Sequence, residues 1–298
     1  MFARVLSGFV LAAALIACGG GSGGTSGTTP PPVVQKMVGE VFLAPSEMAT
    51  AELRSDIAYS GYLSTSRAIQ AAGKKNILDL LFMLPPGDAQ HGRPRDTIAV
   101  DAEQRLIQYA LDNKDLLVPG IRVLVADEVY WNPVVPGDSL AILQPQLNAL
   151  GAAITLVRKH IPQASVGITV TPYAAIGNPN TLEYTKKAIA LVDWVGTDPY
   201  WFGEASSIAD LHAWSSSFHG IAKQANPKVE TWFIAQAFKF PAWDLPMFND
   251  FIRQQLVYAQ TYDHVLFFGW QFVSEIDMAA AGMYFSPETK LLYKQYFK

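Results

Sequence analysis

Short apolar runs alternate with longer amphipathic segments along most of this chain. The short runs are rich in β-branched and aromatic residues and apolar at nearly every position, which is typical of strands buried on both faces of a sheet. The longer segments repeat apolar residues at spacings of three and four, as helices with one buried face do. Seven strands are predicted, at 38–44, 76–84, 121–126, 165–171, 194–198, 231–237 and 264–272.

Helices are predicted between these strands, at 47–72 with a break at Gly61, 101–113, 139–160, 181–192, 208–225, 248–261 and 290–297. Repeated strand–helix units favour a parallel sheet covered by helices on both faces. We therefore predict an α/β fold, a (β/α)8 TIM-type barrel with one irregular or missing strand, which we expect within residues 85–120. A doubly wound open sheet is the alternative, but the glycine-rich phosphate turn of that class is absent.

The first residues differ in composition from the rest. Arg4 precedes an apolar run at 8–17 that is too short to span a bilayer, as in a signal peptide. Residues 15–18, Leu-Ile-Ala-Cys, resemble the lipobox of bacterial lipoproteins. The resemblance implies cleavage before Cys18 and lipid attachment to its thiol. An ordinary secretory signal is the alternative. Cys18 is the only cysteine, so an intramolecular disulfide is excluded.

Residues 18–35 are rich in Gly, Ser, Thr and Pro and form no apolar pattern, which predicts a flexible tether. The expected organisation is a signal peptide at 1–17, the tether at 18–35 and a barrel domain at 36–298. We accordingly expect a lipid-anchored protein of the cell envelope, outside the cytoplasm, that contacts the membrane through its lipid only.

Charge and motifs exclude several function classes. The chain has 22 basic and 26 acidic side chains, so it lacks the basic surface that nucleic-acid binding requires. Its five histidines show no metal-binding spacing, and no Gly-x-Ser-x-Gly elbow marks a serine hydrolase. We predict no cofactor and no metal.

The candidate chemistry begins at the end of the strand 121–126. Asp127 and Glu128 follow that strand directly, where a barrel places active-site residues in its mouth. The aromatic neighbours Tyr130 and Trp131 would lower the local polarity and raise the pKa of Glu128, as a general acid requires. Either acid could instead cap the next turn or pair with Arg122. Because side chains alternate along a strand, we expect one of the two to face a substrate.

Asp198, in the segment Gly-Thr-Asp-Pro-Tyr-Trp, is the best second carboxylate. It ends a predicted strand and could serve an inverting glycosidase as the base. Alternatively, its side chain forms an Asx turn before Pro199. Glu275, after the last strand, is a further candidate. Glu40 either points into the barrel mouth or is a salt-bridged structural acid.

Aromatic and amide side chains at strand ends suggest carbohydrate binding. Flat apolar rings with polar edges suit pyranose faces, and amides can hydrogen-bond hydroxyl groups. Trp201 and Trp270 are the preferred platforms. The predicted substrate-binding residues are Tyr130, Trp131, Tyr173, Tyr200, Trp201, Gln236, Trp270, Gln271 and Glu275, and Phe238 and Trp243 belong to the same aromatic group.

These motifs resemble the (β/α)-barrel glycoside hydrolases. The large retaining clan has Asn-Glu at the end of its acid/base strand and a second Glu at a later strand end. This chain has Asp127-Glu128 at the first place and Gln236 at the second, and glutamine cannot act as a carboxylate nucleophile.

The segment Asp127-Glu128-Val129 is also similar to the Asp-Glu-Val of the β-hexosaminidases. In that family the Asp orients the acetamido group of the substrate, which acts as nucleophile, and the Glu is the acid. The glycines and histidine that precede the family motif are absent, since Val125-Ala126 stands there.

The leading hypothesis is a glycoside hydrolase that acts on an extracytoplasmic polysaccharide or oligosaccharide. Glu128 is then the general acid, and Asp127 or Asp198 acts as base, positions water or holds an acetamido group. The alternatives are a non-catalytic carbohydrate-binding lipoprotein and an envelope scaffold.

Overall fold

The structure of the protein is a computed structural model. The chain divides into two units, Met1–Val34 and Gln35–Lys298. The first unit lies outside the described residues, so the signal peptide, the lipobox, Cys18 and all but the last residue of the tether stay predictions. The structure describes residues 35–41, 56–84, 96–129, 140–203, 205–240, 243–269, 279–280 and 285–296.

Eight parallel strands close into a barrel in the order β1-β2-β3-β4-β5-β6-β7-β9, which confirms the predicted (β/α)8 fold. A separate two-stranded antiparallel sheet pairs β8 (Phe238–Lys239) with β10 (Ala279–Ala280). The barrel strands are β1 Val38–Val41, β2 Ile57–Tyr59, β3 Lys75–Asp79, β4 Arg122–Ala126, β5 Ser165–Val170, β6 Trp194–Thr197, β7 Glu230–Gln236 and β9 His264–Phe268.

The eighth strand lies elsewhere than expected. It is β2, three residues long, and it pairs with both β1 and β3 inside the segment predicted as the helix 47–72. The described part of 85–120 contains a helix and no strand. A three-residue strand is shorter than the stretch that a periodic pattern needs, so its pairing partners define it.

Helices follow most strands, with bounds close to those predicted except at 47–72, where the helix covers only Leu63–Ala71, and at Pro172–Ala175, where no helix was predicted. Two start as their sequences indicate: Asn178 accepts hydrogen bonds from the N–H groups of Asn180 and Thr181, and Asp244 accepts one from Met247. No described helix combines the length and apolarity needed to cross a membrane. The helices are α1 Leu63–Ala71, α2 Ala102–Asp112, α3 Leu140–His160, α4 Pro172–Ala175, α5 Pro179–Ile189, α6 Ala205–Ala225, α7 Leu245–Ala259 and α8 Pro287–Tyr296.

Large aromatic side chains fill the barrel interior toward the amino ends of the strands. Trp194 of β6 lies over Gly167 of β5, where an added Cβ would come within 1.9 Å of the indole ring. Trp232 of β7 contacts the Trp194 ring edge-on, with centroids 6.0 Å apart. Interior space is therefore left at the carboxyl ends of the strands.

An ion-pair cluster lies at the amino ends of the strands. Arg122 Nη2 lies 2.6 Å from Glu230 Oε2, and His264 Nε2 lies 3.5 Å from the same oxygen. Burial acts to raise the pKa of Glu230, but hydrogen bonds from His264 and Arg122 outweigh it and lower that pKa to about 2. Because Arg122 pairs with Glu230, the alternative pairing of Arg122 with Asp127 or Glu128 is wrong.

Candidate active site

A cavity of about 350 Å³ opens at the carboxyl ends of the barrel strands. That volume lies within the range of small-molecule sites, roughly 300–1,000 Å³. Its lining combines three carboxyl groups with a mostly apolar and aromatic wall. The lining residues are Val41, Tyr59, Ile77, Leu124, Asp127, Glu128, Thr169, Trp194, Asp198, Tyr200, Phe202, Ile234, Phe238, Phe240, Leu266 and Phe268.

Both acids after β4 line this cavity, so the expectation that only one of them faces inward is wrong. The pairing of β4 with β5 shifts register between Leu124 and Ala126. Glu128 then has a φ of 48°, in the left-handed region that few residues other than glycine adopt. The bulge and the left-handed residue break the strand alternation, which turns two consecutive side chains toward the same space.

Thr169 of β5 holds this turn in place. Its Oγ1 accepts a hydrogen bond from the backbone N–H of Glu128 at 2.7 Å and donates one to Asp127 Oδ1. Its backbone carbonyl accepts from the N–H of Val129 at 3.0 Å. One side chain thus fixes both the backbone of Glu128 and the carboxylate of Asp127.

Asp198 lies at the end of β6 and is 5% exposed. Burial raises its pKa well above the ordinary value, and the charges of Glu128 and Asp127 and a hydrogen bond with Glu128 raise it further. Asp198 therefore favours its protonated form, because burial and the nearby negative charges both raise the cost of ionising it. The N–H of Tyr200 donates to the backbone carbonyl of Asp198 and not to its side chain, so no Asx turn forms there.

Within the described part of the chain, no group of three or more His, Cys, Asp or Glu residues has an arrangement that could hold a metal ion.

Aromatic rings form one wall of the cavity. Tyr200 stacks on Phe268 with centroids 5.6 Å apart and meets Phe238 edge-on at 5.3 Å. Burial raises the pKa of Tyr200, and the charges of Asp198, Asp127 and Glu128 add to that effect, so its hydroxyl stays protonated. Phe202 is 52% exposed at the rim.

Tyr173 lies beside this wall and does not line the cavity. Its hydroxyl donates to the backbone carbonyl of Tyr200, and its ring centroid is 5.9 Å from that of Phe202. The predicted sugar contact of Tyr173 would therefore have to be made from the rim.

Trp201 and Gln236 are buried outside the cavity lining, unlike the open positions expected for them. Trp201 is 1% exposed, with its ring centroid 5.1 Å from that of Trp243. The amide of Gln236 accepts from the N–H of Trp201 at 2.7 Å and donates to the carbonyls of Trp201 and Phe238 at 3.2 and 3.0 Å. The Gln236 side chain ties the ends of β6 and β7 together.

Glu40 does not line the cavity, so the alternative in which it points into the barrel mouth is wrong. Its neighbour Val41 lines the cavity, and successive strand side chains face opposite sides of a sheet. Glu40 thus faces the helical layer, where it is fully buried.

Five predicted substrate-binding residues lie outside the described residues and stay predictions: Tyr130, Trp131, Trp270, Gln271 and Glu275.

Sequence reasoning missed several residues at the cavity. Thr169 is a polar residue inside an otherwise apolar strand, and that contrast was the available signal. Tyr59, whose hydroxyl donates to Asp79 Oδ2 at 3.3 Å, went unnoticed because its strand was predicted as helix. Phe202, Phe240 and Phe268 also line the cavity and were not among the predicted residues.

The fold is a (β/α)8 barrel, and the solved structures that share it include glycoside hydrolases. No protein-family profile matches the chain, and no curated protein does either. Solved structures that share the fold include Bacteroides uniformis β-glucuronidase 2, at 9% identity and a TM-score of 0.54, with 78% of this chain and 30% of that chain covered.

Two other solved structures resemble the chain to a similar degree. An FMN-binding β-glucuronidase from Facaelibacterium prausnitzii L2-6 has 9% identity and a TM-score of 0.54, over 89% of this chain and 44% of that one. A psychrophilic family 10 endo-β-1,4-xylanase has 10% identity and a TM-score of 0.52, over 78% and 86%. This chain spans less than half of either glucuronidase, and identities this low establish a shared fold alone.

Proposed function

We propose that this protein is a glycoside hydrolase that cleaves an extracytoplasmic polysaccharide or oligosaccharide, with Glu128 as general acid. The observation that carries the proposal is that Glu128 and a hydrogen-bonded Asp198 line one mostly apolar cavity, where burial and neighbouring charges raise the pKa of Asp198 well above its ordinary value. A carboxylic acid that keeps its proton near neutral pH is what protonation of a glycosidic oxygen requires.

Glu128, Asp198 and Asp127 each have a separate role in the proposed reaction. Glu128 gives its proton to the oxygen of the leaving sugar while the bond from that oxygen to the anomeric carbon breaks. Asp198 is a positioning residue, because its hydrogen bond with Glu128 holds the Glu128 carboxyl group in place and favours its protonated form. Asp127, oriented by Thr169, is the remaining carboxylate and takes the proton of the water that attacks the anomeric carbon.

The direct contact of Glu128 with Asp198 argues against those two groups as an acid and nucleophile pair. Retaining enzymes hold their carboxyl groups about 5–5.5 Å apart and inverting enzymes about 6.5–9.5 Å apart. Groups joined by one hydrogen bond are closer than either separation. Gln236 at the end of β7 is likewise no nucleophile, which leaves water or the acetamido group of an N-acetylated substrate.

The test is product release from a panel of neutral, N-acetylated and uronic polysaccharides by the full chain. Release should fall by about 10²-fold or more in Glu128→Gln, since general acid catalysis contributes about 10²–10⁴-fold. Glu183→Gln, the same change on an exposed position of α5, should leave release unchanged. Equal release by the wild type and Glu128→Gln would contradict the proposal.

A second candidate function is carbohydrate binding without cleavage. Gln236 favours it, because an amide stands at the end of β7 and is fully used by the protein. Binding of a glycan with no release of product by the wild type would support this candidate.

We also propose a location in the cell envelope, with a lipid on Cys18. The support is the composition of residues 1–35 and the resemblance of residues 15–18 to a lipobox. In a bacterial host, Cys18→Ala should release the protein from the membrane fraction and abolish labelling by a radioactive fatty acid. Membrane retention of that variant would contradict the lipid anchor.

A further inference from the structure

The most exposed aromatic side chains of the described structure lie at one end of the barrel. Among the large hydrophobic residues that are exposed in the described part of the chain, three carry an aromatic ring: Tyr62, Tyr173 and Phe202, which are 59%, 38% and 52% exposed. They follow the carboxyl ends of β2, β5 and β6, respectively. Single exposed apolar residues are normal on a protein surface, so it is the grouping of these rings around the mouth that indicates a function.

Tyr173 and Phe202 form an outer platform that continues the aromatic wall of the cavity. Their ring centroids are 5.9 Å apart, and the ring of Phe202 meets that of Tyr200 edge-on at 6.5 Å. The Tyr173 hydroxyl donates to the backbone carbonyl of Tyr200, which fixes the Tyr173 ring beside the wall. Phe202 both lines the cavity and is exposed at its rim. A ligand that lies along the wall therefore meets the outer platform where it leaves the cavity.

Tyr62 lies on the opposite side of the mouth. In the closed strand order, β2 and β6 are separated by three strands in either direction. The backbone N–H of Tyr62 donates to Ser60 Oγ at 3.1 Å, which holds Tyr62 at the start of α1. Tyr59, shortly before it in the chain, lines the cavity. The cavity thus reaches from the strand that precedes Tyr62 to the segment that carries Phe202.

Aromatic rings on both sides of the mouth suit a chain of sugars better than a single one. A flat aromatic face packs on the apolar face of a pyranose, and a tyrosine hydroxyl can also hydrogen-bond at the edge of the sugar. The cavity volume of about 350 Å³ is at the lower end of the range for small-molecule sites. A ligand that contacts both sides of the mouth must therefore extend beyond the cavity, whereas a single enclosed sugar would leave Tyr62 and Tyr173 in water.

We propose that the protein binds a polysaccharide chain across the barrel mouth, with sugar rings held on Tyr62 at one side and on Tyr173 and Phe202 at the other. The middle of the chain then lies over the carboxyl groups of the cavity. This inference rests on the proposed function for its choice of a sugar, and it adds the mode of action. Where the bound chain is cleaved, the cut falls at an internal bond and not at the chain end.

The test compares sugar chains of different length. Native gels that contain the neutral, N-acetylated and uronic polysaccharides of the panel first identify the polymers that retard the protein. The dimer, tetramer and octamer of each such polymer are then titrated against the protein by calorimetry. The octamer should bind about tenfold or more tightly than the dimer, because only the longer chain reaches the rings on both sides. Equal affinities, or retardation by no polymer, would overturn the proposal.

Single variants localise the effect, which is measured as the ratio of octamer to dimer affinity. Tyr62→Ala and Phe202→Ala should each reduce that ratio about two- to tenfold, as expected for the loss of one aromatic contact. The two effects should multiply in the double variant, because the residues lie on opposite sides of the mouth. Leu111→Ala removes an apolar side chain of α2 that is as exposed as Phe202 and should leave the ratio unchanged. A reduced ratio in Leu111→Ala, or in only one of the two ring variants, would overturn the proposal.

The products of cleavage separate this inference from the proposed function. Where the wild type cleaves a polymer, the viscosity of the solution should fall before short products accumulate, since internal cuts shorten a chain fastest. Release of terminal sugars alone, abolished in Glu128→Gln, would overturn the inference and leave the proposed function standing. Length-dependent binding that requires Tyr62 and Phe202, without cleavage of any polymer, would support the inference and contradict the proposed function.

Discussion

Asp198→Asn should stabilise the protein, and by more as the pH rises. In the folded protein, burial and then the charges of Glu128 and Asp127 hold the pKa of Asp198 well above its ordinary value of 3.8. In the unfolded chain the group ionises near that ordinary value. Asparagine has nearly the shape of the protonated acid and can still donate a hydrogen bond to Glu128, so the substitution removes the titration and keeps the contact.

The sign follows from proton binding. Between the unfolded and the folded pKa, the folded protein holds a proton that the unfolded chain has released, so stability falls as the pH rises. A difference of one bound proton changes the free energy of unfolding by about 1.4 kcal/mol per pH unit. From about pH 5 to pH 7 the wild type should therefore lose up to about 2.7 kcal/mol relative to Asp198→Asn.

The assay is urea unfolding of the wild type and the variant across that pH range, followed by circular dichroism. Asp263→Asn is the matched control. Burial acts to raise the pKa of Asp263, but its hydrogen bonds with Lys223 and Thr231 lower it overall. Its contribution is fully present above the unfolded pKa and is lost only in acid, so the difference between this control and the wild type should be flat from about pH 5 to pH 7.

A difference between Asp198→Asn and the wild type that does not change with pH would refute the reasoning. It would mean that Asp198 ionises in the folded protein much as it does in the unfolded chain. The raised pKa of Asp198 would then be wrong, and with it the main support for a protonated carboxyl group beside Glu128.

Three further changes test the geometry of the site and of the barrel interior. Glu128→Gly should stabilise the fold by about 1 kcal/mol relative to Glu128→Gln in thermal unfolding, since glycine adopts a positive φ without strain; equal stability would argue against strain at this turn. Thr169→Val removes the hydrogen-bond partner of Asp127 and of the Glu128 N–H. It should therefore lower the free energy of unfolding in urea by about 1–3 kcal/mol and reduce any catalysis that depends on Asp127. An unchanged urea midpoint would contradict that role. Gly167→Ala should destabilise by about 1–3 kcal/mol or more, because its Cβ would meet the Trp194 ring at 1.9 Å. The same methyl group in Gly220→Ala, in the C-terminal part of α6, meets no atom within 4 Å outside its own helix backbone and should stabilise by about 0.5–1 kcal/mol. A similar loss in both variants would refute the packing argument.

The sequence by itself determined the class of fold and the place of the acids. Apolar strands that alternate with amphipathic helices predict a parallel sheet covered by helices. The closed eight-stranded parallel barrel confirms that prediction. Asp127, Glu128 and Asp198 follow directly on strands, so closure of the barrel brings them to one mouth. These features depend on residues that are close in the chain, which is why periodicity reveals them.

Only the tertiary structure decided which of the candidates meet. The three-residue β2 exists because β1 and β3 pair with it, and Glu128 faces the cavity because of a bulge against β5. Trp201 and Gln236 were predicted from the sequence to bind substrate. Each is instead buried by contacts with the other and with residues further along the chain. Such contacts join segments far apart in sequence, and their geometry is set only when the barrel closes and its side chains pack.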